Sequence, residues 1–266
     1  MNWRHSVLFI VILSVVVGVF VYPAIPQDEG YHNFADKRAL WAVPNTLDVV
    51  SNGLFLIVGV LGIRFVKSKP PEDNSTFSSP AERWAYFVFF LSVGATAFGS
   101  AYYHLHPSDR TLLWDRLPMA VGFLSLLAGV VCERTTPKNG LRYLIVLPGW
   151  AVGTVLYWYA TQENAHGDLR PYIIAQFGSL LAILLLLALF PPRYTRSGDL
   201  VVSLGFYALA KVFEQGDHLI FGWGGIVSCH TLKHLTAAVS AWWILRMLQL
   251  RTEVSQSASR PREQVL

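Results

Sequence analysis

Long apolar runs recur along the whole chain, and short polar segments separate them. Eight runs of about 17 residues or more can be counted, at residues 6–22, 46–66, 84–104, 112–132, 141–160, 172–190, 200–221 and 229–248. An apolar helix of that length crosses the roughly 30 Å hydrocarbon layer of a bilayer. The pattern therefore predicts an all-α fold, a polytopic membrane helix bundle with a seven-helix core and one extra N-terminal helix.

Composition agrees with a membrane protein. Hydrophobic residues make up 53% of the chain and charged residues 14%, whereas a soluble domain carries about 25% charged residues. We expect a transmembrane helix or signal anchor at 1–24, a membrane domain at 25–250 and a polar cytoplasmic tail at 251–266. A cleaved signal peptide that ends near Ala24 is the alternative for the first segment.

The charges of the loops indicate how the chain is oriented. Most loop Lys and Arg residues fall on one side, and the other side holds only Lys37, Arg38, Arg110 and Arg170. This bias predicts that both termini are cytoplasmic. The net charge of +4 is spread over loops and tail rather than gathered in one patch, so nucleic acid is not an expected partner.

Polar side chains collect where the runs meet the predicted outer face. Ser100 and His104 lie four residues apart near the end of the third run, which places both on one helix face. Asp115 enters the fourth run at a similar depth, and His230 and His234 form a second such pair at the start of the last run. Ionisable groups inside a membrane are costly and usually functional. We expect these five side chains to meet in one layer.

The residue types in this layer suit metal-assisted hydrolysis. Three imidazoles with a fourth position open to water are typical of catalytic Zn²⁺, which lowers the pKa of a bound water to about 7. Asp115 is expected to orient or deprotonate the water, and Ser100 to donate a hydrogen bond to the developing oxyanion. The reaction that follows is cleavage of an amide or ester.

Each residue taken alone has a simpler interpretation. A single interfacial histidine is commonly a polar helix end, and a serine such as Ser100 packs helices together in membranes. Asp115 can pair with Arg116 or cap a helix. A functional site is favoured only because all of these residues are expected at the same depth in the membrane.

Other polar residues give weaker indications. Possible supporting partners of the histidines are Asp217, Glu214, His218 and Ser51. Lys211 is expected to pair with one of the acidic or polar groups near the outer face. A possible Ca²⁺ loop at 27–36 offers oxygen ligands, although without strict spacing, from Asp28, Glu29, Asn33 and Asp36. We interpret His32, His106 and His166 as solvated loop residues.

Several of these residues, in this order, resemble the alkaline ceramidase family, within the seven-helix membrane hydrolases that include the adiponectin-receptor type. The matching pieces are Asn45-Thr46, Ser51-Asn52, Gly99-Ser100, His104, Asp115-Arg-Leu-Pro118-Met119, Asp217, His230 and His234. The resemblance implies zinc on the three histidines, with Asp115 and Ser100 serving the catalytic water and oxyanion. The chain departs from the family in its first helix and in the loop at 27–36, which matches the family's calcium loop poorly. It is most similar to a bacterial member, which implies an inner-membrane protein with its site near the periplasmic face.

The leading hypothesis is a zinc-dependent intramembrane hydrolase that cleaves the amide bond of ceramide or a related N-acyl lipid and releases a fatty acid. Its expected partner is a membrane lipid substrate, and no obligate protein partner is expected. The alternative from another class is a non-enzymatic membrane receptor or sensor with a structural metal site. A small-solute transporter is a third hypothesis, which predicts paired broken helices near the membrane midplane.

Overall fold

A computed structural model describes residues 3–69, 76–135, 140–164 and 166–254, without the side chains of Leu141 and Trp223. The prediction of an all-α fold is confirmed, since the described residues form helices and no β-sheet. The helices are α1 (Trp3–Val21), α2 (Thr46–Ser51), α3 (Gly53–Ser68), α4 (Pro80–Leu105), α5 (Asp109–Arg134), α6 (Gly140–Glu163), α7 (Arg170–Ile173), α8 (Ser179–Leu189), α9 (Gly198–Gln215), α10 (Asp217–Gly224) and α11 (Cys229–Leu250). A short 3₁₀ helix covers Glu29–His32.

Six helical segments of the described chain are long and apolar enough to cross a membrane. They are Trp3–Val21, Thr46–Ser68, Pro80–Leu105, Asp109–Arg134, Arg142–Glu163 and Arg170–Leu189. The last two predicted spans are also helical, but α9 carries Asp199, Lys211 and Glu214, and α11 carries Lys233. These charges lower the mean hydropathy of the two helices, so the count of eight spans stays a prediction.

Two predicted spans are less regular than their apolar patterns indicate. The run at 200–221 was predicted as one helix, and this is wrong, because the chain turns at Gly216 between α9 and α10. Asp217 begins α10, and its carboxylate accepts a hydrogen bond from the backbone N–H of His230 at 2.8 Å. The run at 172–190 includes a π-helical segment, Ile174–Gly178, between α7 and α8.

Small residues set the distances between the central helices. α4 packs along both α3 and α5, while α11 packs mainly against α9. Gly99 of α4 lies against the backbone of α5, where a Cβ would overlap the carbonyl oxygen of Trp114. A larger residue would push α5 away at the turn that contains Asp115. The helix pair therefore needs a glycine directly before Ser100.

The first helix lies at the edge of the bundle. α1 contributes no buried residue, and it packs mainly against α8 and the preceding π-helical segment. Leu8 and Ile12 pack against the hydrophobic core, whereas Phe9, Ile10 and Val17 are exposed. This position is consistent with an additional helix outside a core formed by the rest of the chain.

A buried ionic cluster lies at the start of α4 and the end of α5. Arg251 contacts Glu133, and its Nη2 donates to Glu82 Oε1 at 2.6 Å. Tyr86 donates to Glu133 at 2.6 Å, and Tyr194 donates to Glu82 at 3.2 Å. These five residues are called the Arg251 cluster below. Arg251 is only 4% exposed, so the first residue of the predicted tail at 251–266 packs into the bundle. Residues 255–266 lie outside the described residues, and the tail stays a prediction.

Candidate metal centre

Three histidines meet between the end of α4 and the start of α11. His104 lies on the last turn of α4, and His230 and His234 lie on the first two turns of α11. One ring nitrogen from each histidine lies within 4.8 Å of the others, and all three residues are buried. The predicted convergence of these three residues, called the histidine triad below, is confirmed.

The free nitrogen atoms of the triad fit a metal ion. Nδ1 and Nε2 of His104, Nε2 of His230 and Nε2 of His234 are all buried, and none has a hydrogen-bond partner among the described residues. A buried polar atom without a partner costs about 1–3 kcal/mol. A divalent ion accepts lone pairs from all three rings, and imidazole suits zinc as well as several other metals.

The short helix α2 fixes both halves of the triad. The Ser51 hydroxyl lies 2.8 Å from Nδ1 of His234, which leaves Nε2 as the free nitrogen of that ring. The Asn45 side-chain amide donates to the backbone carbonyl of His104 at 2.8 Å. Second contacts of this kind commonly orient metal-binding histidines. Asn45 and Ser51 thus both contact residues of the triad.

Two buried carboxylates hold the start of α11. Asp48 Oδ1 accepts hydrogen bonds from Thr231 at 2.6 Å and from Ser228 at 3.1 Å. Asp217 accepts from the backbone N–H groups of His230 at 2.8 Å and of Ala35 at 2.9 Å. Asp217 therefore positions the backbone of a ligand histidine rather than its ring. From the sequence, Asp48 is expected either to pack against the site or merely to join helices, and here its carboxylate joins α2 to the start of α11.

The segment before α2 covers the triad. The Phe34 ring packs on His104 at 4.6 Å and on His230 at 4.7 Å between ring centroids. Asp36 pairs with Arg38 at 2.7 Å, and this hydrogen-bonded contact lowers the pKa of the Asp36 carboxyl. The Arg38 guanidinium also donates to the backbone carbonyl of Gly225 at 2.8 Å. The triad is thus closed by an aromatic side chain on this side.

The possible calcium ligands of this segment have other partners. Asp28 accepts from the backbone of Gly30 at 2.9 Å, and Asn33 accepts from Lys37 at 2.6 Å. Among the described residues, the carboxylates of Asp28, Glu29 and Asp36 do not form a group within 4.8 Å of one another. The structure therefore does not bring the four predicted ligands together.

Two other predicted supporting residues, Glu214 and His218, contact groups outside the triad. Glu214 contacts Lys211, as expected for that lysine, and lies 3.4 Å from Lys233. His218 is exposed and lies 2.8 Å from the backbone carbonyl of Asn33. Of the four predicted supporting residues, only Ser51 contacts the ring of a ligand histidine.

The prediction that His32 is a solvated loop residue is wrong. Its Nδ1 lies 2.8 Å from the Tyr103 hydroxyl, and its Nε2 lies 3.1 Å from Asp109. Only 21% of the side chain is exposed. His32 therefore connects the segment that precedes α2 to both α4 and α5. These residues are distant in the sequence, so local spacing does not predict the contacts.

A cavity of about 250 Å³ opens beside the triad. Its polar end is lined by His234, Ser100 and Asp115, and the Ser100 side chain lies near the Asp115 carboxylate. Asp115 forms no ion pair within 4 Å of Arg116, so the simpler interpretation of Asp115 as an Arg116 partner does not hold among the described residues. A carboxylate and a hydroxyl thus lie at the same end of the cavity as a ligand histidine.

The rest of the cavity is long and mostly apolar. Along α11 its lining runs from His234 through Ala237 and Ala241 to Ile244, a distance of about 15 Å at 1.5 Å per residue. Phe89 and Leu126 belong to the same lining. This length is about half of a 30 Å hydrocarbon layer, so the cavity matches the depth of one lipid acyl chain.

Arg116 is a buried cation at the polar end of this cavity. Its Nη2 donates to Gln27 at 2.5 Å, and its guanidinium packs against the rings of Trp158 at 4.2 Å, Tyr172 at 5.0 Å and Tyr31 at 5.6 Å. Its Nη1 is buried and has no hydrogen-bond partner among the described residues. From the sequence, Arg116 is considered only as a candidate ion-pair partner of the neighbouring Asp115.

Comparison with known proteins adds no family to this description. No protein-family model matches the chain, and no curated protein sequence matches it. The family resemblance thus stays a prediction from the motif residues, whereas the buried histidine triad is a property of the fold.

Proposed function

We propose that the protein is a metal-dependent intramembrane hydrolase that cleaves the amide bond of an N-acyl lipid and releases a fatty acid. One observation carries the proposal: a buried triad of metal-competent histidines lies at the polar end of a long apolar cavity inside a helical bundle. Such a cavity buries an acyl chain, and the polar end then receives the carbonyl to which that chain is attached. The resemblance to alkaline ceramidases supports the same reaction class.

The donor set of the triad fits zinc, which His104, His230 and His234 would hold. When bound, zinc supplies a Lewis acid that polarises a carbonyl and makes water a nucleophile near neutral pH. In this proposal Asp115, which lines the same cavity as His234, takes the proton of the attacking water and passes it to the leaving amine. The Ser100 hydroxyl can donate a hydrogen bond to the carbonyl oxygen as negative charge develops there.

The apolar part of the cavity supplies binding and orientation. Phe89, Leu126 and Ile244 surround the acyl chain in this proposal, and the roughly 15 Å lining sets the chain's depth. Burial of each methylene contributes about 0.8 kcal/mol. This energy holds the carbonyl beside Asp115 and Ser100 and so lowers the entropic part of the barrier.

The proposed setting follows the charge bias of the loops. Both termini are cytoplasmic in this proposal, and the triad lies near the outer face, which is periplasmic if the protein belongs to a bacterial inner membrane. A lipid carbonyl lies at this interfacial depth. Ceramide and other N-acyl lipids share the cleaved bond, and the proposal covers that class.

The test is metal content and hydrolysis measured on the same detergent-purified preparations. The variants are His230→Ala/His234→Ala and a matched control, His106→Ala/His166→Ala, which removes two exposed histidines. We expect about one zinc per chain, as for a single triad, and fatty acid release in the wild type and the control. The triad variant should lose both.

The outcomes separate the enzyme from the receptor or sensor hypothesis. Zinc bound in the wild type without release of fatty acid from any N-acyl lipid in a panel of chain lengths would favour a structural metal. An Asp115→Asn variant sharpens this result, because it should keep its zinc and lose turnover by about 100-fold or more, the usual contribution of general acid–base catalysis. Absence of metal in the wild type would contradict the proposal.

A further inference from the structure

The polar end of the cavity carries an excess of positive charge. Its lining includes three cations, Arg116, Lys211 and Lys233, and two carboxylates, Asp115 and Glu214. The two lysines share Glu214 as their partner. Arg116 has no carboxylate within 4 Å among the described residues. A divalent ion on the triad adds further positive charge to the same end.

A buried arginine without an anionic partner is costly. Arg116 is 6% exposed, and transfer of an ion from water to a protein interior is unfavourable unless it is compensated. The rings of Trp158, Tyr172 and Tyr31 compensate in part through cation–π contacts. The amide of Gln27 satisfies one end of the guanidinium. Within the part of the chain that the structure describes, the Nη1 end has no partner and can receive a ligand.

The residues around Arg116 keep its side chain in place. The Tyr31 hydroxyl donates to Glu214 at 2.9 Å, and burial together with the Glu214 carboxylate raises the pKa of the Tyr31 phenol well above its ordinary value. Tyr31 therefore stays neutral and keeps both Glu214 and the aromatic wall of Arg116 fixed. An arginine held among three aromatic rings, with one edge unpaired among the described residues, is arranged for recognition of an oxyanion by its planar guanidinium.

We infer that Arg116, flanked by Lys211 and Lys233, binds an oxyanion on the head group of the lipid substrate, a phosphate or a carboxylate. The inference rests on the proposed function and narrows its substrate class from N-acyl lipids in general to those with an anionic head group. The acyl chain fills the apolar part of the cavity, the amide lies beside the histidine triad, and the head group contacts the guanidinium. An uncharged ceramide would leave Arg116 without its partner.

Binding tests the inference without any turnover. The probes are dodecyl phosphate and dodecan-1-ol, which share one alkyl chain and differ in charge, added to protein in nanodiscs of zwitterionic lipid. We expect the wild type to bind the phosphate at least tenfold more tightly. Arg116→Gln should reduce that preference below threefold, whereas Arg110→Gln, an exposed arginine on the same helix, should retain it. Equal binding of the two probes by the wild type would overturn the inference.

Hydrolysis provides the second measurement and identifies the anion. Three substrates share a dodecanoyl amide: N-dodecanoylethanolamine, its phosphate ester and N-dodecanoylglycine. Loss of one or two charge-assisted hydrogen bonds corresponds to about 10- to 100-fold. We expect Arg116→Gln to lower kcat/KM by that factor for the preferred anionic substrate, mainly through KM, and by less than threefold for the neutral one.

The remaining outcomes distinguish failure of the inference from failure of the proposed function. Probe binding that depends on Arg116, without turnover of any substrate, would support an anion site and contradict the hydrolase. Equal loss of turnover on charged and neutral substrates would overturn the inference and leave the hydrolase intact. Arg116-dependent binding of dodecanoate, with no preference among the three substrates, would assign the site to the fatty acid product and overturn a head-group role. If Arg116→Gln does not fold with its metal, Arg116→Lys, which keeps the charge and loses the planar contact, should show the same substrate-selective loss in weaker form.

Discussion

Two buried polar clusters lie at opposite ends of α4, and their polar atoms are satisfied in opposite ways. In the Arg251 cluster, every buried side-chain nitrogen and oxygen has a partner within the described chain. In the histidine triad, four ring nitrogens have none. Glu82 and His104 mark the two ends and are separated by roughly 33 Å at 1.5 Å per residue, about the thickness of a hydrocarbon layer.

The difference indicates that the Arg251 cluster stabilises the fold, whereas the histidine triad is arranged to bind a ligand. A fully paired ionic cluster joins α4, α5 and the end of α11, and removal of one partner leaves buried charges uncompensated. The triad instead keeps lone pairs unpaired at a cost to the apo fold. This cost would be offset when an external ligand, here a metal ion, binds the unpaired ring nitrogens. The following predictions are ordered by their expected effect on the free energy of unfolding of the metal-free protein.

Arg251→Met should have the largest effect. It leaves Glu82 and Glu133 buried without their shared cation, and loss of one partner of a buried ion pair costs about 3–5 kcal/mol. Thermal unfolding in detergent measures the change. The control is Arg196→Met, which removes an exposed pair with Asp199 and should cost about 1 kcal/mol or less. Equal shifts in the two variants would mean that the Arg251 cluster does not stabilise the fold.

Gly99→Ala should have the second largest effect on the free energy of unfolding. The added methyl overlaps the Trp114 carbonyl oxygen, so α5 must move at the turn that holds Asp115, and overpacking of this kind costs about 1–3 kcal/mol. Hydrolysis should fall more than zinc content, because the triad residues lie on α4 and α11 rather than on α5.

A matched glycine provides the control for that variant. Gly153→Ala changes a helix position with open space around it, and it should leave activity unchanged while stabilising α6 slightly. Unchanged activity in Gly99→Ala would show that close approach of α4 and α5 is not needed at Ser100.

Ser51→Ala should act on the metal more than on the fold. Loss of the hydroxyl that contacts His234 removes the group that sets the orientation of this ring, and such contacts are worth about 10- to 100-fold in metal affinity. Competition with a fluorescent zinc chelator measures the affinity. Ser51→Thr keeps a hydroxyl and should bind zinc nearly as tightly as the wild type; equal weakening in both variants would assign the effect to packing instead.

His104→Leu should change the metal-free stability least, by about 1 kcal/mol or less, since neither ring nitrogen has a partner to lose and the new side chain is of similar size. The contrast appears on addition of zinc. At 100 times its dissociation constant, a ligand stabilises a protein by about 2.7 kcal/mol, and this gain should appear in the wild type and be absent in the variant. A large loss in the metal-free variant would show that the triad also stabilises the apo fold.

Periodic patterns along the chain were enough to predict most helices and the triad. The apolar runs marked the helices because a bilayer needs long apolar segments, and the charged loops placed Ser100, His104, Asp115 and the two histidines of α11 at one depth. A spacing of four residues on a helix gives a shared face directly. These features depend on local sequence, so they could be predicted from it.

Contacts between residues distant in the sequence could not be predicted in this way. The pairing of Arg251 with Glu82, the packing of Phe34 over the triad and the lack of an acidic partner for Arg116 all depend on how the helices pack. A local pattern does not show whether a buried charge finds its partner. The turn at Gly216 was missed because the residues on both sides of it are apolar enough to continue one run.

The position of the triad also bears on the mechanical behaviour of the bundle. α4 and α11 pack chiefly against other helices, α4 against α3 and α5 and α11 against α9, and the triad joins positions that lie well over a hundred residues apart in the sequence. A coordinated ion would act there as a removable cross-link, comparable to a disulfide that closes a long loop. Unfolding by force in single-molecule experiments should then proceed in two separable steps without zinc and as one high-force event with it, so that the metal would govern how long the folded bundle survives under load.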